Sequence, residues 1–258
     1  MAADAPIAAP TGVTASFRFY EELNDFLAPE RRRTSFECRC AQAATTKHMV
    51  EALGVPHTEV ELLLVNGESV GFDRQLQQGD RVAVYPKFEA LDITPLLRVR
   101  ERPLRTLRFV ADAHLGGLAH GLRMTGFDTL YDNHYHDDEV ERLARDEQRI
   151  VLTRDRELLK RRNITHGCYV RPLKPRQQLQ HVFERLDLAR SAQPFTRCLR
   201  CNGLLRPARA GEIAAAPDDV RQRHQRFAAC DGCGGLFWEG SHWRRMRAEL
   251  DALLGPDR

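Results

Sequence analysis

The sequence predicts an α/β protein made of three consecutive parts, and three observations carry this prediction. The chain has 258 residues, a length that favours more than one core at about 100–200 residues per domain. Strand and helix patterns alternate through its middle, which is typical of a parallel sheet covered by helices. Two pairs of closely spaced cysteines stand near the C-terminus and indicate a separate metal-binding segment.

Composition and charge exclude several classes of protein. With 42% hydrophobic and 29% charged residues, the chain is globular and neither disordered nor collagenous. No run approaches the roughly 18–20 apolar residues of a membrane span, and the acidic start with Asp4 is unlike a secretory signal. We therefore expect no membrane partner and a cytoplasmic location.

The net charge of +3 is unevenly distributed along the chain. Residues 1–97 carry nine basic and fourteen acidic side chains, whereas residues 98–190 carry nineteen and fourteen. Residues 191–258 carry eleven and eight. The second and third parts could therefore face a polyanion, and the first is not expected to do so.

The first part, residues 14–97, follows a disordered N-terminus expected over residues 1–13. Strand patterns cover residues 14–20, 33–40, 59–65 and 81–85, with a short helix over 47–53 capped by Thr45 or Thr46. This order fits a ubiquitin-like β-grasp, and the segments VNGESV and GDRVAVYP resemble small sulfur-carrier proteins of that fold. Sulfur carriers end in a free Gly-Gly, which is missing after Phe88. We therefore expect a protein partner or a docking role instead.

The second part, residues 104–190, repeats strand and helix four times. Strand patterns cover residues 107–111, 129–131, 149–153 and 168–171, and helix patterns cover 115–124, a segment starting at Asp137 or Asp138, 154–161 and 175–186. Three of these strand–helix junctions carry carboxylates.

Asp112 follows a buried strand, Asp138 begins the second helix, and Asp155 follows the third strand. The carboxyl ends of parallel strands form one rim, where ligands bind. Clustered carboxylates repel one another unless a hard cation such as Mg²⁺ or Mn²⁺ joins them. The competing interpretation is that each aspartate caps a helix, which is favoured for Asp137 and Asp138 taken alone.

The third part, residues 194–254, holds two CxxC pairs 28 residues apart and ends in an amphipathic helix. The pairs are Cys198 with Cys201 and Cys230 with Cys233. Two such knuckles are typical of a zinc ribbon with a structural, closed Zn²⁺ site. The alternatives are two disulfides or redox pairs, which the missing secretion signal and the missing thioredoxin-type context disfavour. Cys38, Cys40 and Cys168 are expected to be free thiols.

Basic residues flank the candidate acids. They are Arg123 on the first helix and Arg154, Arg156, Lys160 and Arg161 around the third. They could bind an RNA phosphate backbone, or they could form a charged face with pairs such as Glu157–Arg161. Tyr131 and Tyr135 are the aromatic residues available for base stacking, so sequence-specific readout is not expected.

The run FVADAHLGGLAHGLRMTGFDTLY, together with DDEVERLARDEQRIVLTRDRELLKRR, resembles the PIN-like RNase domain of mutator-seven-type exonucleases. That domain also occurs in free-standing bacterial proteins with an N-terminal ubiquitin-like domain and a C-terminal zinc ribbon. The resemblance implies a metal-dependent ribonuclease in which Asp112, Asp138 and Asp155 hold Mg²⁺ or Mn²⁺. Thr153 matches the family's T-x-D threonine, whose hydroxyl would bind metal water or fix a carboxylate.

Two features depart from that family. PIN domains often carry a fourth acid near the last strand, but residues 167–175 contain none; Asp137 or Glu157 could replace it, or the site could hold one metal. His134 and His136 stand beside the expected site and belong to a solvated loop or ligate metal. A non-catalytic RNA- or ribosome-binding adaptor with a degenerate PIN-like site, or a ubiquitin-like interaction scaffold, are therefore the alternative functions.

Overall fold

The structure is a computed structural model that describes residues 12–86, 98–99 and 107–255. These residues form two compact units. The first unit holds residues 12–86 and 98–99 together with Asp155–Thr165, and the second holds residues 107–154 and 166–255. The second and third predicted parts thus lie in one unit, except for a short stretch that belongs with the first. The expected disorder of residues 1–11 lies outside the described residues.

The elements follow one another in chain order. The N-terminal region contains β1 (Gly12–Phe19), β2 (Phe36–Ala41), α1 (Thr46–Ala52), β3 (Leu62–Val65), β4 (Glu68–Ser69) and β5 (Arg81–Tyr85). The central region contains β6 (Arg108–Ala111), α2 (Gly116–Met124), β7 (Asp128–Tyr131), α3 (Asp137–Glu147), β8 (Ile150–Thr153), α4 (Arg156–Leu159), β9 (Gly167–Tyr169) and α5 (Pro175–Leu186). The C-terminal region contains β10 (Leu205–Pro207), α6 (Ala210–Ala214), α7 (Asp218–Arg223), β11 (Phe227–Cys230), β12 (Leu236–Trp238) and α8 (Ser241–Leu254).

The first unit contains the predicted β-grasp. Its five-stranded sheet has the order β2-β1-β5-β3-β4, in which β1 and β5 are parallel and the other neighbours are antiparallel. The strand β1 begins at Gly12, two residues before the predicted start of this part. The hydroxyl of Thr45 accepts from His48 N over 3.2 Å and caps α1, as one of the two predicted caps does. Asn66 and Gly67 both have positive φ angles, which suits the tight turn between β3 and β4.

The second unit is built on a four-stranded parallel sheet with the order β7-β6-β8-β9. Its strands are short apolar runs, and β8 is buried along its whole length, which is typical of a sheet covered on both faces. The core brings Phe109, Leu118 and Leu122 together with Val182 and Leu250. The fold therefore places the residues that follow β6, β7 and β8 along one edge of the sheet.

The C-terminal region shares the core of the second unit. Its three strands form an antiparallel sheet with the order β10-β11-β12. Leu250 of α8 is buried in the same core as α2, and Met246 packs against that core. The insertion between the cysteine pairs contains the helices α6 and α7, which the sequence did not predict. Across the described ranges, no helix has the length and apolar character needed to cross a bilayer.

Candidate functional site

A carboxylate and a hydroxyl meet at the carboxyl edge of the parallel sheet. Asp112 directly follows β6, and its amide donates to Leu152 O over 3.0 Å, which extends the pairing of β6 with β8. Thr153, the last residue of β8, is fully buried, and its Oγ1 donates to Asp112 Oδ2 over 2.7 Å. The Asp112 side chain makes no helix-capping hydrogen bond. Its carboxylate is therefore fixed by Thr153 and not by the turn that follows it.

The other two candidate acids lie at helix starts. Asp138 lies in the first turn of α3 and is exposed, where the positive end of the helix dipole favours a carboxylate. Asp155 is exposed and caps α4, because its Oδ1 accepts from Glu157 N over 2.8 Å. Asp155 also belongs to the first unit. The capping interpretation is therefore confirmed for Asp155. It is wrong for Asp137 and Asp138, because the N-cap of α3 is His136 and its side chain makes no capping hydrogen bond.

One group of side chains has the proximity that a metal ion needs. Among residues 12–86, 98–99 and 107–255, the only set of three or more Cys, His, Asp or Glu ligand atoms lying within 4.8 Å of one another is Cys198, Cys201, Cys230 and Cys233. Asp112 and Asp138 do not belong to such a set. The four cysteines could therefore bind zinc as they stand.

The two cysteine knuckles fold alike. Cys198 N donates to Gly203 O over 2.7 Å, and Asn202 N donates back to Cys198 O over 2.9 Å. The second knuckle repeats these bonds over 3.0 and 2.9 Å. Asn202 and Gly234, at equivalent positions, both have a φ of 67°. The sulfur atoms pair at 3.4 and 3.6 Å across the knuckles, too far apart for disulfides and close enough to share one ion.

A glycine, Gly203, lies beside the sulfur atoms. A Cβ at Gly203 would lie 3.1 Å from the Sγ of Cys230 and 3.4 Å from that of Cys201. A side chain there would enter the space in which the four sulfur atoms meet. The absence of a side chain therefore keeps this space open for an ion.

A buried polar network joins the first knuckle to β7. Asn202 Oδ1 accepts from Thr129 N over 2.9 Å, and Asn202 Nδ2 donates to Asp128 Oδ1 over 2.7 Å. Arg149 donates to the same Asp128 oxygen over 2.7 Å. Burial alone would raise the pKa of Asp128, but these hydrogen bonds outweigh it and hold the pKa below its ordinary value. Sequence reasoning missed this network, although an asparagine where the second knuckle has glycine was a signal.

Arg123 requires a correction, because the structure places it in the core and not on a substrate surface. Its side chain is buried, with 6% of the residue exposed. The guanidinium donates to Thr129 O over 2.9 Å and to the knuckle carbonyls of Leu199 and Arg200 over 3.2 and 3.1 Å. Arg123 can be buried on α2 because carbonyls of the first knuckle accept hydrogen bonds from its guanidinium. We therefore leave Arg123 out of the candidate substrate contacts.

The other basic candidates differ in their surroundings. Arg154 is exposed at the end of β8. Lys160 pairs with Glu157 over 2.7 Å. Arg156 lies over the ring of Phe26, with its Cζ 4.9 Å from the ring centroid. Arg161 is half-buried. Arg154 therefore remains as the most accessible candidate for a phosphate contact.

The residues next to β7 also make local contacts. Tyr131 is half-buried, and its hydroxyl donates to Ala113 O over 3.1 Å. His134 pairs with Asp132 over 3.1 Å in an exposed loop, which is what a solvated loop would do. Tyr135 is half-buried, and burial raises the pKa of its hydroxyl.

Comparisons with known proteins match two regions of the chain. The Mut7-C RNAse domain matches residues 107–250, and the Mut7-C ubiquitin domain matches residues 12–92. Two crystal structures of small archaeal modifier protein 1 from Haloferax volcanii match at 19% and 17% identity. Each match covers 30% of this chain and nearly all of the archaeal chain, 100% in one structure and 99% in the other. The TM-score is 0.25 in both cases. No curated protein matches. The match over more than half of its length shows that the chain belongs to the Mut7-C RNAse domain family, with a ubiquitin-like domain preceding the RNase domain.

Proposed function

We propose that the protein is a metal-dependent ribonuclease that hydrolyses RNA phosphodiester bonds at the carboxyl edge of the parallel sheet. The observation that carries the proposal is the Asp112 carboxylate, which Thr153 holds at 2.7 Å within a Mut7-C RNAse domain. The buried hydroxyl of Thr153, at the end of β8, thus orients the carboxylate of Asp112, which follows the neighbouring strand β6. This edge is where open α/β sheets bind ligands.

The donor set at this edge fits a hard cation. Carboxylate oxygens are the ligands that Mg²⁺ and Mn²⁺ prefer, and we propose Asp112, Asp138 and Asp155 as the residues that would hold the ion. When bound, such an ion stabilises charge on a phosphate oxygen and lowers the pKa of a coordinated water. Thr153 would keep Asp112 in one orientation throughout.

The reaction adds water across one phosphodiester bond. The water oxygen bonds to phosphorus, the bond from phosphorus to the leaving ribose oxygen breaks, and a proton goes to that oxygen. Arg154, exposed at the end of β8, would contact the phosphate backbone, since its planar fork suits phosphate oxygens. We propose that Arg161 adds a second backbone contact and that Arg156 and Lys160 contribute positive charge nearby.

We also propose that Cys198, Cys201, Cys230 and Cys233 hold one structural Zn²⁺. Four thiolates fill a tetrahedral shell, so no position is left for substrate or water. The hydrogen bonds from Asn202 to Asp128 and Thr129 support this role, because a zinc ion that fixes the first knuckle would thereby also stabilise β7.

The proposal is tested by cleavage of single-stranded and structured RNA with the full chain. Divalent ions are removed by dialysis without a strong chelator, so that zinc is retained, and Mg²⁺ or Mn²⁺ is then added back. We expect cleavage only after addition, and a loss of about 100-fold or more in Asp112→Asn, since a lost metal contact removes several kcal/mol. Asp146→Asn, which alters an exposed acid paired with Arg145, is the matched control and should cleave like wild type.

An RNA-binding adaptor is the second candidate function. The arrangement of the acids favours this function: in the described part of the chain, Asp112 and Asp138 do not belong to a group of three or more ligand residues within 4.8 Å. RNA binding that persists in Asp112→Asn, with no cleavage by wild type under any added metal, would support the adaptor and refute the ribonuclease.

A further inference from the structure

The stretch Asp155–Thr165 follows the T-x-D element but belongs to the first unit, with the ubiquitin-like domain. Leu158, Leu159 and Ile164 are fully buried, although the stretch contains only one helical turn, α4. The stretch is thus a segment of the first unit with buried apolar side chains, and it follows β8 of the second unit in the chain.

A buried histidine of the ubiquitin-like domain binds the end of this stretch. His57, with 6% of the residue exposed, places Nε2 2.9 Å from Ile164 O. Its Nδ1 lies 2.7 Å from Glu51 Oε1, on α1. Because a carbonyl oxygen can only accept, Nε2 is the donor to Ile164. The ring of Phe72 packs edge-on against the imidazole, with 5.8 Å between the centroids, and so restricts its rotation.

A second contact anchors the beginning of the stretch. The Arg156 guanidinium lies over the Phe26 ring, 4.9 Å from its centroid, and donates to Phe26 O over 3.5 Å. Arg156 is the first residue of α4, and the residue before it, Asp155, caps that helix. The orientation of α4 therefore sets the position of the Asp155 carboxylate.

We propose that the ubiquitin-like domain is the positioning element for Asp155, and that His57 is its main positioning residue. This rests on the proposed function, since Asp155 matters to cleavage only as a ligand of the catalytic site. The domain thereby has an internal partner, the stretch Asp155–Thr165. His57 acts through the backbone of Ile164 and touches neither RNA nor metal.

Two substitutions separate the two hydrogen bonds of His57. His57→Gln places an amide nitrogen near the Nε2 position and retains a donor for Ile164 O. His57→Asn places its amide nitrogen near the Nδ1 position, so it retains the contact with Glu51 and loses the one with Ile164. His48→Asn, at an exposed histidine on the same helix α1, is the matched control.

The experiment measures amide hydrogen exchange across Asp155–Thr165 and the RNA cleavage kinetics of the full chain. For His57→Asn we expect faster exchange in this stretch and a kcat lower by about 10-fold, since a misplacement of about 1 Å can cost as much as 100-fold. KM should stay within about twofold, because the RNA contacts are unchanged. His57→Gln and His48→Asn should match wild type in exchange and kcat.

Unchanged exchange in His57→Asn would overturn the proposal, and so would faster exchange with an unchanged kcat. Equal losses of kcat in the Gln and Asn variants would show that the bond to Ile164 is not what positions the stretch. If the wild-type chain cleaves no RNA, the proposed ribonuclease function fails and the catalytic role of His57 fails with it. The exchange data then still decide whether His57 holds Asp155–Thr165.

Discussion

The two candidate metal sites of this protein are assembled in different ways. The sulfur atoms of Cys198, Cys201, Cys230 and Cys233 lie within 4.8 Å of one another, on two knuckles with the same backbone hydrogen bonds. At the acidic edge, Thr153 donates a 2.7 Å hydrogen bond to Asp112, and Asp138 and Asp155 lie at the starts of separate helices.

This difference shows what a short motif can and cannot specify. A CxxC turn places two ligands through its own backbone, so two such turns need only one strand pairing to meet. Carboxylates that follow separate strands depend on every element between them. At the acidic edge, a single residue such as Asp112 is held in place by a neighbouring side chain. The four cysteine ligands, in contrast, are brought together by the backbone of the two knuckles.

The largest expected effect comes from the cysteine site. Cys201→Ser removes one of four ligands, and structural zinc sites contribute about 10–16 kcal/mol of apparent binding free energy. We expect the zinc content to fall from one ion per chain to nearly none, with loss of the cooperative unfolding transition of the second unit. Elemental analysis and thermal denaturation measure both.

Cys38→Ser is the control for this change, because Cys38 is a half-buried thiol of the first unit. It should retain zinc and the transition. Full zinc content in Cys201→Ser would contradict the assignment of the four cysteines.

The next effect concerns Thr153. Thr153→Val removes the donor to Asp112 while keeping the side-chain volume, and a hydrogen bond to a charged group contributes about 1.5–3 kcal/mol. We therefore expect RNA cleavage to fall by about 10- to 100-fold. Steady-state cleavage rates with Mn²⁺ measure it. Thr153→Ser keeps the hydroxyl and should retain most of the activity; equal loss in both variants would mean that the methyl group, and not the hydroxyl, matters.

A third prediction contrasts Arg123 with Arg154. Arg123→Leu removes a hydrogen-bond donor from each of three carbonyls, so we expect a loss of about 3 kcal/mol in the free energy of unfolding, with RNA affinity nearly unchanged. Arg154→Ala should leave the free energy of unfolding nearly unchanged and weaken RNA binding. The slope of the logarithm of the binding constant against the logarithm of the salt concentration should become shallower by about one. Denaturant unfolding and fluorescence anisotropy at two salt concentrations distinguish them. An RNA affinity that falls more in Arg123→Leu would restore Arg123 as a substrate contact.

The smallest expected effect is a pH dependence at Asp128. Its pKa is held below the ordinary value in the folded state, so it contributes stability above about pH 4 that is lost as the pH falls through the folded value. Denaturant unfolding between pH 3 and 7 should show a shallower acid loss in Asp128→Asn than in wild type. Parallel acid losses for Asp128→Asn and wild type would show that the hydrogen bonds from Arg149 and Asn202 do not stabilise the Asp128 carboxylate.

Local patterns were sufficient for much of the fold. The strand β5 and the helix α5 have the predicted bounds, because periodicity and a proline at the helix start are local signals. The Thr45 cap and the four cysteines were predicted for the same reason. The predicted helix over residues 154–161 is shorter: only the turn Arg156–Leu159 forms, within a stretch that belongs to the first unit.

Long-range contacts decided the features that were missed. Arg123 is buried because carbonyls 76 and 77 residues later accept hydrogen bonds from its guanidinium, and no pattern around Arg123 signals this. Asn202 and Asp128 are likewise joined across the chain. The contact of His57 with Ile164 spans 107 residues. Each depends on which elements pack together, and this is not encoded in the local spacing.

The most direct test of a metal-dependent acidic edge is anomalous diffraction from crystals of the full chain soaked in Mn²⁺. The proposed function predicts an anomalous peak at the carboxyl edge of the parallel sheet, at a coordination distance of about 2.1 Å from an Asp112 carboxylate oxygen. Such a peak would also show which of Asp138 and Asp155 complete the site. An anomalous map with no peak beside Asp112, at a Mn²⁺ concentration that supports RNA cleavage, would contradict it.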